Sequence, residues 1–148
     1  MREFVFRGRP KNEAEYEVLR ELCEDDCENG FVYGSLVVNR NKYYICTMAL
    51  QIRGDISNYI TTMIEVFPET VGEYTGLKDK NGKMIFEGDI VKRFWFSKMC
   101  IYQIGYDNGL ASFIGRAGMK FTTFDYDSEE FEVIGNIYDN PELLKEAK

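Results

Sequence analysis

The chain has no histidine in its 148 residues. That removes the Ser-His-Asp and Cys-His arrangements, the H-E-x-x-H metalloprotease motif and the zinc-deaminase signature. It also lacks a positive charge balance: 18 Lys and Arg face 25 Asp and Glu, for a formal net charge of -7. Such a surface opposes general attraction to nucleic acid or to an anionic membrane. No apolar run approaches the roughly 18–20 residues of a membrane span. The opening stretch MREFVFRGRPKNE contains no long apolar segment, so no secretory signal is expected. A cytoplasmic protein without a membrane partner is the expectation.

Cysteine is sparse. Cys23 and Cys27 form one C-x₃-C pair, while Cys46 and Cys100 stand alone. A zinc site usually shows two close pairs, or one pair with histidines. Here the two single cysteines would have to converge on the pair. Buried or free reduced thiols are expected instead, with no metal and no cofactor. Carboxylate chemistry stays open. Glu87 and Asp89 flank Gly88 at an expected bend, where a side chain can be aimed into a cleft.

What is present points to strands. Ten Tyr and eleven Phe suit a pleated, half-buried surface. REFVFRG (2–8) reads as an edge-like strand with Phe4 and Phe6 on one side. Residues 12–29 follow as an acidic helix, capped by Asn12 with Glu15 in a capping-box position. Ala14, Val18 and Leu22, with Leu19 and Cys23, would form its packed face, with Glu17, Glu21 and Glu24 solvated. Asn29-Gly30 would stop the helix. Eight of the eighteen residues from 12 to 29 are acidic and one is basic. This segment is either a solvated outer face or an acidic docking surface.

FVYGSLVV (31–38) and KYYICTM (42–48) read as strands joined at Asn39-Arg40-Asn41. SNYITTMIEVF (57–67) ends as a strand, since Pro68 holds Phe67 extended. PETVGEY (68–74) connects the halves. Short strands then follow closely: 84–92 with Met84, Phe86 and Ile90 in alternation, then 100–106, 110–115, 120–126 and 129–138. Asp107-Asn108-Gly109 marks a tight turn. DYDSEE (125–130) reads as an exposed turn. Asn140-Pro141 opens a final short helix, with Asn as N-cap, Pro at its first position, and Leu143 and Leu144 packing back.

The stretch YTGLKDKNGKMIFEGDIVK (74–92) holds three glycines and four lysines. It is not a P-loop. Gly76 and Gly82 have five residues between them, Met84 stands where a hydroxyl must hold magnesium, and a strand follows instead of a helix. It is not an EF-hand loop either. Counted from Asp79, position six is Met84 and position twelve is Ile90, where glycine and a carboxylate are needed. A hairpin remains, with Asn81-Gly82 in a type I′ turn and Lys78, Lys80 and Lys83 around its tip.

Together with EVIGNIYDNPELL (132–144), the stretch PETVGEYTGLKDKNGKMIFEGDIVK closely resembles the YopX family of phage and prophage proteins. REFVFRG and FVYGSLV fit the family's opening pattern, with 11–29 resembling an insertion between them. The resemblance implies a mainly β protein of two small β lobes, the C-terminal one barrel-like (SH3-like or similar). It also implies a phage or prophage origin and a bacterial host cytoplasm. It supplies no activity and no catalytic set. The expected lobes are 1–72, carrying the inserted N-terminal helix, and 73–148, ending in the short C-terminal helix; the alternative is one compact unit.

Two functions compete, with a carboxylate-based enzyme third. The first is a non-catalytic interaction and regulatory module that binds a protein partner, from host or phage, or a second copy of itself. The second is nucleic-acid binding. Lys78, Lys80, Lys83, Lys92, Arg93 and Lys98 outnumber Asp79, Glu87 and Asp89 between 78 and 98, and KRFWFSK (92–98) interleaves aromatics with cations. Against that, any small barrel needs inward aromatics from this strand. Phe94 and Phe96 would be core, and Trp95 would lie on the outer surface or between lobes.

Overall fold

The computed structural model describes residues 4–23, 27–53, 56–95, 97–123 and 130–145, excluding the side chains of 49–60 and 95. The protein is mainly β, and among the described residues it has one α-helix. The chain divides into two compact units, Phe4–Glu73 and a second from Tyr74 onward.

In the first unit, β1 (Phe6–Gly8) pairs antiparallel with β3 (Phe31–Asn39) and with Gly72 and Glu73 at the start of β6 (Gly72–Lys78). It is therefore an interior strand, not the edge-like one expected. Phe6 packs toward the core while Phe4, just outside the strand, is exposed. β4 (Lys42–Arg53) and β5 (Ile56–Val66) continue the sheet beyond β3. β5 is thus strand over its whole length. Arg40 and Asn41, both at positive φ, turn β3 into β4 in two residues, as a type I′ hairpin requires.

Helix α1 (Glu13–Leu22) begins where Asn12 Oδ1 accepts the Ala14 N–H. It ends at Cys23, well before Asn29-Gly30. Those two residues instead turn β2 (Cys27–Glu28) back onto β3, both at positive φ. Tyr16 ties the helix to this hairpin, its hydroxyl accepting the Gly30 N–H at 3.1 Å. Leu19 inserts into a core of Cys27, Val32, Ile45, Ile64 and Val66. Val18 and Leu22 do not pack there: they are 58% and 50% exposed. An α-helix laid on a sheet buries the stripe that faces it, and here Leu19 occupies that stripe.

In the second unit, Tyr74–Lys78 of β6 pairs with β7 (Met84–Phe86). The hairpin tip lies at Asn81-Gly82, and only Gly82 of the two has positive φ. Gly82 N–H donates to Asp79 O, and Asp79 N–H donates to Lys83 O. This is a longer loop than the two-residue type I′ turn. Ile85 and Phe86 are both buried, so the core does not follow the Met84–Phe86 alternation. Five strands form the remaining sheet in the order β11-β10-β9-β8-β12. They are β8 (Asp89–Trp95), β9 (Lys98–Asp107), β10 (Ser112–Ala117), β11 (Lys120–Thr123) and β12 (Glu132–Asn136). Among the described residues no pairing joins β11 to β12.

The core here is Ile85, Val91, Ile104 and Phe131, with Tyr102 and Val133 against it. Phe94 lies three residues beyond Val91 on the opposite face of β8 and is 66% exposed. The expectation that Phe94 is core is thus overturned. Phe96 and the side chain of Trp95 lie outside the described residues, as do Glu24 and most of DYDSEE. Gly88, at φ 81°, makes the expected bend. Its N–H donates to Ile104 O and its carbonyl accepts from Ile137. Between β9 and β10, Asp107 Oδ1 accepts the Gly109 and Leu110 N–H groups, and Ala111 takes the positive φ. The final helix is 3₁₀, Pro141–Leu144, and Asn140 makes no side-chain cap to it.

Candidate protein-docking site

Helix α1 carries two apolar stripes, and the sheet covers one. Ala14, Val18 and Leu22 recur every four residues, which aligns them along one side of the helix. With Leu19, Thr62, Met63 and Ile64 they line an open groove of about 460 Å³ beside β5, with Glu15 at its margin. Of these, Val18 and Leu22 are at least half exposed. Exposed apolar side chains gathered in one place mark binding surfaces, whereas single ones are ordinary.

β5 has an unusual outer edge. Near its end, Lys11 N–H donates to Glu65 O, Phe67 N–H donates to Arg9 O, and Pro10 bridges Val66. Lys11 and Lys42 both bond the Glu65 carboxylate, at 2.9 and 3.1 Å. These bonds, Lys11 first, hold the Glu65 carboxyl below the usual glutamate value, and Glu65 raises Lys42 in return. The segment before α1 therefore fixes the start of the helix against β5, and so fixes the groove.

Three of the six basic residues singled out in the sequence are paired with acids. Lys80 and Lys92 both bond the Glu132 carboxylate, Lys92 at 3.1 Å. The Lys80 bond, then the Lys92 bond, hold that carboxyl below its usual value. Arg93 is buried, its Nε donating to Glu130 at 2.8 Å and its guanidinium lying 5.3 Å from the Phe131 ring centre. Lys78, Lys83 and Lys98 are exposed. Trp95 contributes a backbone pairing with Lys98, and its side chain lies outside the described residues. Three of the seven candidates are thus paired to acids from β12 or the residues just before it.

The candidate carboxylates are likewise committed. Asp89 is 1% exposed and its Oδ2 accepts the Phe86 N–H at 2.8 Å. Glu87 Oε1 accepts the Tyr106 N–H at 3.1 Å. Asp79 accepts from Asn81, Lys83 and Val133. Burial pushes the Asp79 carboxyl up, but the N–H groups of Val133, Lys83 and Asn81 together outweigh it and leave it low. Among the described residues no group of three Cys, Asp or Glu side chains is placed to hold a metal ion. Cys27 is buried in the first unit's core and the other three thiols are partly exposed.

The sequence singled out the acidic helix but not the groove. Val18 and Leu22 carried the right spacing and were expected to be packed.

No helix among the described residues is long and apolar enough to cross a membrane. No curated protein matches the chain. Among solved structures the chain is similar to the crystal structure of protein EF1440 from Enterococcus faecalis. The identity is 25%, over 74% of this chain and 85% of that one, with a TM-score of 0.47. A family model described as YopX protein matches residues 11–145. That span takes in α1 and the stretches 68–92 and 132–144, with β1 just before it, and the chain belongs to the YopX family.

Proposed function

We propose that this protein is a non-catalytic interaction module that binds a protein partner through the groove between α1 and β5. The carrying observation is the exposure of Val18 and Leu22 on one groove while Leu19, on the same helix, is buried. Apolar side chains of this kind gain by leaving water, at about 25 cal/mol per Å². The role fits a regulatory protein of phage or prophage origin in a bacterial host cytoplasm. The commitment of Asp79, Glu87 and Asp89 to backbone N–H groups supports the non-catalytic reading. The pairing of Lys80, Lys92 and Arg93 with Glu132 and Glu130 leaves nucleic-acid binding with less support.

The test compares the tagged wild-type protein with Val18→Gln/Leu22→Gln in bacterial lysate, followed by direct titration of whatever differs. A partner that binds purified wild type and loses at least about tenfold in affinity for the variant, as interface anchors do, supports the proposal. Partners that bind both proteins equally overturn it.

A further inference from the structure

We infer that the occupant of this groove is a protein segment with an apolar face flanked by Lys or Arg; the inference rests on the docking reading above. The argument is charge complementarity. Ala14, Val18 and Leu22 each follow a glutamate: Glu13, Glu17 and Glu21. With 3.6 residues per turn, those glutamates form a second stripe running beside the apolar one for about 12 Å. All three are exposed, and Glu15, also exposed, lines the groove itself. Arg20 is the only cation in the helix, and it lies 3.7 Å from Glu17.

The groove thus offers an apolar floor along an anionic rail. A partner bearing acidic groups beside its apolar face would meet like charges there. A phosphate backbone or an anionic lipid surface would meet the same repulsion. A basic amphipathic segment gains twice, by burying its apolar side chains and by placing cations along the rail. Seating one helix face in a groove with charges at its margin is an established mode of peptide recognition. Exposed charges of this kind act mainly on encounter rate and specificity, and salt weakens them.

The probes are three fluorescent synthetic helices with leucine on one face and lysine, glutamine or glutamate on the other. Anisotropy titrations at low salt use the full chain. The inference expects the lysine peptide to bind about fivefold or more tightly than the glutamine peptide, and the glutamate peptide weakest, as a few surface pairs would give. Glu17→Gln/Glu21→Gln should erase the advantage of lysine. Arg20→Gln should increase it, a change of sign that unfolding cannot produce. Val18→Gln/Leu22→Gln should weaken both the lysine and glutamine peptides. Equal binding of those two peptides, lost together in Val18→Gln/Leu22→Gln, overturns the charge inference and leaves the docking reading standing. Lysine-peptide binding that survives Val18→Gln/Leu22→Gln overturns both, as does the failure of all three peptides to bind.

Discussion

Asp79 Oδ2 accepts the Val133 N–H at 3.0 Å, joining residues 54 positions apart. The other oxygen accepts from Asn81 and Lys83 at 2.8 and 2.9 Å, and Lys80 N–H donates to Phe131 O beside it. One buried carboxylate thus shapes the hairpin tip and ties it to β12. The two stretches that carry the family resemblance, 68–92 and 132–144, meet here, and again where Gly88 accepts from Ile137.

Asp79→Asn should therefore destabilise the protein by about 2 kcal/mol at neutral pH, since an amide cannot replace both acceptor oxygens and hydrogen bonds to charged groups are the stronger kind. Because the folded carboxyl is held below the ordinary aspartate value, its stabilisation is complete above that value. It is lost as pH falls through the folded one. The gap between wild type and variant in urea titrations should narrow below about pH 4. A gap that is absent at pH 7, or widens in acid, would contradict this role.

Two glycines separate close approach from open space. A Cβ on Gly34 would land against the Cys46 carbonyl oxygen of the neighbouring strand, and backbone cannot rotate aside as a side chain can. A Cβ on Gly105 meets nothing within 4 Å. Gly34→Ala should cost about 2 kcal/mol or more, in the range of overpacked cores. Gly105→Ala should leave the melting midpoint nearly unchanged. Equal midpoints for the two variants would sink the distinction.

Within α1, the covered and uncovered stripes should separate energetically. Leu19→Ala removes a side chain that is 2% exposed and should cost about 2–4 kcal/mol. Leu22→Ala should cost less than about 1 kcal/mol, as surface substitutions usually do. Chemical denaturation of the two single variants decides it. A comparable loss in both would mean that Leu22 is part of the core.

How far the sequence carried these conclusions varies with the range of the interaction. The Asn12 cap, the Arg40-Asn41 turn region and the hairpin tip at Asn81-Gly82 were legible because each is decided by neighbouring residues. Asn29-Gly30 was legible as a positive-φ site but not as a hairpin, since a helix end and a β-turn demand the same backbone. The exposure of Phe94 was hidden because alternation assigns residues to two faces without naming the inner one. Glu132 pairs with Lys80 and Lys92, 52 and 40 residues away. No local pattern reports such a partner, so the pairing of Lys80 and Lys92 was hidden. Val18 and Leu22 failed for a related reason: helix spacing shows an apolar stripe, but not whether the sheet reaches it.

The pairing of Lys80, Lys92 and Arg93 with Glu132 and Glu130 carries its own consequence. Wild-type protein should show no steeply salt-dependent retention on single- or double-stranded DNA, because contacts to phosphate would release counterions and weaken sharply with salt. Retention on immobilised DNA at low salt that disappears at moderate salt would restore the nucleic-acid reading.

The central claim is that the groove beside Val18 is where a protein partner sits. Its most direct test is a photo-crosslinking residue placed at Val18, with one at Lys98 in the other unit as the control, and irradiation in bacterial lysate. The account predicts a discrete protein adduct at Val18 that is abolished by Leu22→Gln and outcompeted by the lysine-bearing amphipathic peptide. Adducts that form only at Lys98, or a Val18 adduct indifferent to both Leu22→Gln and the peptide, would contradict it.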